Sequence, residues 1–146
     1  MNATDVIAEV KAKLNKVSSL EGKVVVVYDQ NNLGDKLKGV KFPAAGLIYD
    51  GMRSLPEQGA TAKVGLSAEL VISIVLVMQP ETLFNADAKT PIIVLLDEVR
   101  SMMMSTRSVT GHFWHFLVEA PAEVQHGMAF WVQRWSTPIQ LPRKTA

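Results

Sequence analysis

The stretch LSAELVISIVLVMQ, residues 66–79, limits the possible folds more than any other part of this 146-residue chain. From Leu70 to Met78 it is apolar except for Ser73. Such continuity fits a strand covered on both faces, in the middle of a sheet. The run is far too short for a bilayer-spanning helix, which needs about 20 residues. A central strand needs partners on either side and cover above and below, and the rest of the chain has to supply both.

The cover comes from two amphipathic segments. Val6, Ile7, Val10, Leu14 and Val17 recur at three- and four-residue spacing with Lys11, Lys13 and Lys16 between them, which predicts a helix over Thr4–Ser19 capped by Thr4. In KTPIIVLLDEVRSMMMST, Thr90 suits a cap and Pro91 the first helical position. Ile92, Leu95, Leu96, Val99, Met102 and Met103 then form one stripe, with Asp97 and Arg100 opposite and Glu98 at its margin.

The partners come from four further runs. The valines of GKVVVVYD favour a strand because β-branched side chains fit the pleat. PAAGLIYDGMRS is another, with Pro43 restricted to its start or to an exposed edge. HFWHFLVEAPAEVQHGMAFWVQRWS holds two aromatic runs around a turn and reads as a hairpin. The polar segment 30–42 reads as a long loop or flexible hairpin, and 54–65 as a second loop. The order α-β-β-β-α-β-β predicts an α+β fold: a mostly antiparallel sheet of about five strands with two helices packed on it. Residues 1–136 form a single domain, and residues 137–146 an extended C-terminal tail.

Composition narrows the chemistry. The 15 basic and 14 acidic residues leave a net charge of +1, too little for a polyanion-gripping surface unless clustered. The absence of cysteine excludes disulfides, thiolate catalysis and Cys-based zinc sites. The N-terminus is acidic early and lacks a basic signal-peptide region, so the chain is expected to be made as a soluble intracellular protein. There is no phosphate-binding glycine loop, nucleophile elbow or H-E-x-x-H motif. The adjacent carboxylates Asp97 and Glu98 diverge on a helix and read as its solvated face.

His112 and His115 raise the one metal question. On a helix they would share a face and could bind one ion. On a strand, residues three apart point to opposite sides, and Phe113, Trp114, Phe116 and Val118 favour strand. His126 lies in the turn, so the three histidines are read as neither metal ligands nor catalytic groups. One is expected to face solvent or a partner and the other to lie near the core. No cofactor is expected.

The aromatics carry the stronger signal. Trp114, Phe116, Trp131 and Trp135 fall on both faces of the hairpin, a pattern a half-solvated sheet should not show. Either helices cover one side and a loop the other, or one face packs on another subunit; the second reading is adopted. The loop 30–42 adds Lys36, Lys38 and Lys41, candidates for contact with a partner. Asp29 and Asp35 dilute that cluster, and no stacking platform accompanies it.

The series of elements itself resembles a known family. FPAAGLIYDGMRS matches an "LPA-hydrophobic" strand, LLDEVRSMMMS an "LLD-x-hydrophobic-R" helix, and an aromatic hairpin closes the domain. In these respects the chain resembles the tail terminator proteins of long-tailed bacteriophages and related minor tail proteins. The resemblance implies a non-enzymatic structural virion protein, made in the host cytoplasm and placed at the head-proximal end of the tail. It would form a ring, usually a hexamer, that caps the tail tube, stops tube polymerisation and docks the head-side connector or neck protein. DNA would pass through the lumen without sequence-specific binding, and no membrane is involved. The alternatives are a head-closure or neck adaptor protein of the head–tail interface and, further off, a small metal-dependent enzyme using His112, His115 or His126.

Overall fold

The computed structural model describes residues 2–27, 32–37, 39–54, 66–78, 92–122 and 129–141. Five strands form one sheet in the order β1-β2-β3-β5-β4: β1 Val24–Val27, β2 Ala44–Ser54, β3 Leu66–Met78, β4 His115–Pro121 and β5 Ala129–Leu141. Only the β1–β2 pair is parallel, so the sheet is mostly antiparallel as the element order predicts. β3 is its central strand, and every side chain from Val71 to Met78 is buried. β3 and β5 pair without interruption from Leu66 opposite Leu141 to Met78 opposite Ala129.

α1 (Ala3–Asn15) and α3 (Ile92–Ser105) cover one face. Val6, Val10 and Leu14 from α1 join Ile92, Leu95, Leu96, Val99 and Met103 from α3 in a single core with Leu70, Ile72, Ile74, Leu76 and Trp135. The apolar stripe of α3 is thus the one its spacing predicts, with Met102 partly buried at its border. Thr90 and Pro91 lie outside the described residues.

α1 departs from expectation at both ends. Its cap is Asn2, not Thr4. Asn2 Oδ1 accepts from the Asp5 N–H at 3.0 Å, and Asp5 Oδ2 accepts from the Asn2 N–H at 3.1 Å. The two side chains satisfy two otherwise orphaned donors reciprocally, which outweighs a lone Thr4 hydroxyl two residues later. The helix stops at Asn15, and Ser18–Leu20 form a separate 3-10 turn. Val17 takes an extended backbone there, and Asn15 Oδ1 accepts from the Gly22 N–H at 3.2 Å.

The segment 30–42 is not simply a loop. It contains a four-residue helix, α2 (Leu33–Lys36), lying on the opposite face of the sheet. Leu33 and Leu37 pack there with Val27, Ala44, Ile48, Val75, Val77 and Phe130. Gly46 makes this approach possible, since a Cβ at that position would lie 2.4 Å from Leu33 Cδ1. Pro43 precedes β2 rather than entering it, and the Phe42–Pro43 peptide is cis.

The C-terminal tail starts later than residue 137. Thr137–Leu141 continue β5 and pair with Leu66–Leu70, so the sheet claims five residues assigned to the tail. Ile139 is buried against the helix-side core and Leu141 packs against it, which explains why the strand persists through Pro138. Residues 55–65 and 142–146 lie outside the described residues. No helix among the described residues is long and apolar enough to cross a membrane.

Candidate interaction surface

The hairpin β4–β5 brings the sequence candidates to very different places. Trp135 is fully buried in the helix-side core, Trp114 is almost so, and Trp131 is half-buried against the same core. These three are packing residues of the protomer, leaving Phe116 as the exposed aromatic among the four candidates. Its ring stands edge-on to Trp135, 5.3 Å between centroids. Phe130, on the other face, is covered by α2. Both faces around the aromatic strand β5 are therefore occupied within one chain, the arrangement the sequence reading had set aside in favour of a subunit contact. Lys36 and Lys41 are exposed, and Lys38 lies outside the described residues.

Exposed apolar side chains occur on the outer side of α3 (Ile93, Val94 and Met104) and, as an unbroken run, along β4 at the end of the sheet. Phe116, Leu117 and Val118 are 44%, 41% and 43% exposed, and Phe113 just ahead of them is 51% exposed. Among the described residues β4 pairs with β5 alone. A bulge interrupts that pairing: Phe116 faces Trp135 and Val118 faces Arg134, leaving Leu117 unpaired. Three consecutive apolar side chains consequently reach solvent on an edge strand, where unpaired backbone already invites another chain. Leu117 and Val118 were absent from the sequence candidates. The signal for them is the apolar triplet FLV, but it acquires meaning only once β4 is known to be an edge.

His112 lies before β4, not in it. Gly111 at φ +87° lets the chain turn, Ser108 N–H donates to the His112 carbonyl at 2.7 Å, and Arg107 bridges Phe113. The guanidinium of Arg107 sits 4.8 Å above the Phe113 ring. Strand alternation therefore does not govern residues 112–114. His112 and His115 are both exposed, so neither is the core histidine expected. His126 lies outside the described residues. Among the described residues no three His, Asp or Glu side chains converge as a metal site would require.

A buried polar network fixes β4 to the rest of the protomer. Gln133 is fully buried on β5. Its Nε2 donates to the Leu96 carbonyl of α3 at 3.0 Å and to Glu119 Oε1 of β4 at 2.8 Å. Its Oε1 accepts from Trp135 Nε1 at 3.2 Å. Glu119 also accepts from Arg100 of α3 at 2.5 Å, and Arg100 pairs with Asp97. Glu119 first, then Asp97, holds the Arg100 guanidinium above its ordinary pKa by bonding to its charged form. One amide thus links α3, β4 and β5 with every polar atom of its side chain engaged.

The α2 face turns polar past Val75. Ser73 donates to Asp50, which also faces Arg134 at 3.5 Å, and Arg53 pairs with Glu69 at 2.7 Å. The Arg53 guanidinium holds the Glu69 carboxyl below the usual carboxylate range. These groups pair with one another and present no isolated base or nucleophile.

No protein-family model matches the sequence, and no curated protein does. Among solved structures, the chain is similar in fold to a chain from the "Virion of native gene transfer agent (GTA) particle". The TM-score is 0.61 at 12% sequence identity, over 94% of this chain and 96% of that one. At that identity the likeness is one of fold, and it extends end to end.

Proposed function

We propose that this chain is a structural virion protein: a protomer of a ring that caps a phage-type tail tube, ends its polymerisation and offers a docking surface to the head-side connector. The observation that carries the reading is the fold-wide likeness to a chain of a gene transfer agent virion, 94% of one chain against 96% of the other. The sequence resemblance to tail terminators points the same way. The apolar edge strand supports it physically, because a surface of Phe116, Leu117 and Val118 suits contact with protein rather than chemistry on a small molecule. The chain has no catalytic role in this scheme, and DNA passes its ring without being gripped.

Particles assembled without the protein test the proposal by electron microscopy. Overlong tails are the expected result. Tailless particles or leaking heads would reassign the chain to head closure or to a neck adaptor. Normal particles would refute a virion role altogether. Adding purified protein to tail tubes should place a cap at one end only.

A further inference from the structure

A ring needs each subunit to offer two different surfaces that fit one another. The sheet has two ends: among the described residues β1 hydrogen-bonds only to β2, and β4 only to β5. We infer that neighbouring subunits join at these ends, β4 of one copy pairing antiparallel with β1 of the next, so that the sheet continues from chain to chain. The inference rests on the ring reading above and specifies the contact that closes it.

Strand direction is the first support. β1 is parallel to β2, which is antiparallel to β3, and β3 and β5 and then β5 and β4 are antiparallel. β1 and β4 therefore run in opposite directions. Rotation about a ring axis leaves the component of a strand along that axis unchanged, so with the strands running along the axis β4 meets the next β1 antiparallel, the better hydrogen-bonded arrangement.

Side-chain faces give the register. On β1, Val24 joins the helix-side core while Val25 and Val27 pack on the α2 side, which leaves Val26 on the helix side. On β4, Phe116 lies opposite Trp135 and shares the helix side, and Val118 lies opposite Arg134 on the other. Keeping the helices of both subunits on one side of the continued sheet sets Phe116 against Val24 or Val26; Val24 is already buried, so Phe116 meets Val26 and, past the bulge, Val118 meets Val25. Phe116 and Val26 are 44% and 37% exposed in the protomer, and pairing them removes apolar surface at both ends of the sheet. β1 has only four residues, so one seam falls below the ~800 Å² per partner of a stable pairwise interface. Each subunit uses two seams in a closed ring, which favours the ring over an isolated dimer.

The chain contains no cysteine, so introduced pairs report on the seam alone. V26C/F116C is oxidised at the concentration where light scattering shows an oligomer, and also within particles assembled from the variant. The expected result is a ladder of covalent multimers on a non-reducing gel, lost on reduction, with each single variant running as a monomer. V25C/V118C is the second pair and gives the same ladder if replacing Phe116 disturbs its contact with Trp135. A covalent dimer from F116C alone means that β4 pairs with β4, and overturns the inference. An oligomer in which neither pair gives a ladder overturns the edge pairing and leaves the ring reading standing. A chain that is monomeric at every concentration and absent from particles refutes the ring reading, and the seam with it.

Discussion

Replacing Gln133 with leucine tests whether the buried amide stabilises the protomer or is merely tolerated. Leucine nearly conserves the volume, so the change isolates the polar contribution. The Trp135 indole N–H loses its acceptor in a fully buried position, a loss of about 1–3 kcal/mol. The Leu96 carbonyl lies inside α3 and keeps its helical partner, while Glu119 keeps Arg100. The bond from Gln133 to the Glu119 carboxylate is charge-assisted and contributes about 1.5 kcal/mol or more net. Greater burial of leucine offsets part of this, leaving a cost of about 2–4 kcal/mol. That is a large share of the roughly 5–15 kcal/mol typical of a whole domain. For a chain of this size the melting temperature should fall by roughly 5–15 °C. Urea unfolding followed by circular dichroism gives the free energy directly. Q133L combined with W135F removes both partners of one bond, and should cost at least about 1 kcal/mol less than the sum of the single changes. A Q133L protein within about 0.5 kcal/mol of its parent, or strictly additive costs with W135F, would refute the reasoning.

Phe116→Asp should leave the protomer folded, costing about 1 kcal/mol for the lost edge-to-face contact with Trp135, while abolishing assembly in light scattering and electron microscopy. Gly46→Val should cost about 1–3 kcal/mol by driving its side chain into Leu33, and shortening that neighbour in G46V/L33A should recover part of the loss in the same urea assay. Glu69→Gln bears on acid stability. Because Arg53 depresses the Glu69 carboxyl in the folded chain, its contribution is present above the ordinary carboxylate pKa and lost as pH falls through the depressed folded value. Melting temperatures followed downward from about pH 4.5 should therefore drop less steeply in E69Q than in the parent, and identical slopes would exclude the pair as a source of acid sensitivity.

Some elements were legible in the sequence because one force decides them. The α3 stripe and the unbroken β3 run record burial on one side and on both sides, and the structure buries the residues those patterns name. α2 was not legible, since LGDK has no periodicity and is held by Leu33 seated on Gly46, a contact between distant segments. The aromatic surplus was read as a face awaiting a subunit because composition cannot say what already covers a face. Trp135 is covered by α1 and α3 and Phe130 by α2, and among the described residues the β4 edge stays open. Edge position follows from strand order, which no local pattern records. The HFWH stretch misled for a related reason: a turn at Gly111 and the Arg107–Phe113 bridge delay the strand to His115, so alternation was applied three residues too early.

The long β3–β5 ladder also dictates when the molecule can exist. The middle strand of the sheet is finished by residue 78, yet its second neighbour ends at residue 141. During synthesis the most apolar segment must wait, with one side unpaired, until nearly the whole chain has left the ribosome. β4 emerges before the strand that holds it, so its apolar edge takes shape only when β5 arrives. Folding is therefore a late event: β4 has no strand to hold it until residues 131–136 of β5 arrive, and a chain interrupted before them leaves its apolar side chains without a framework.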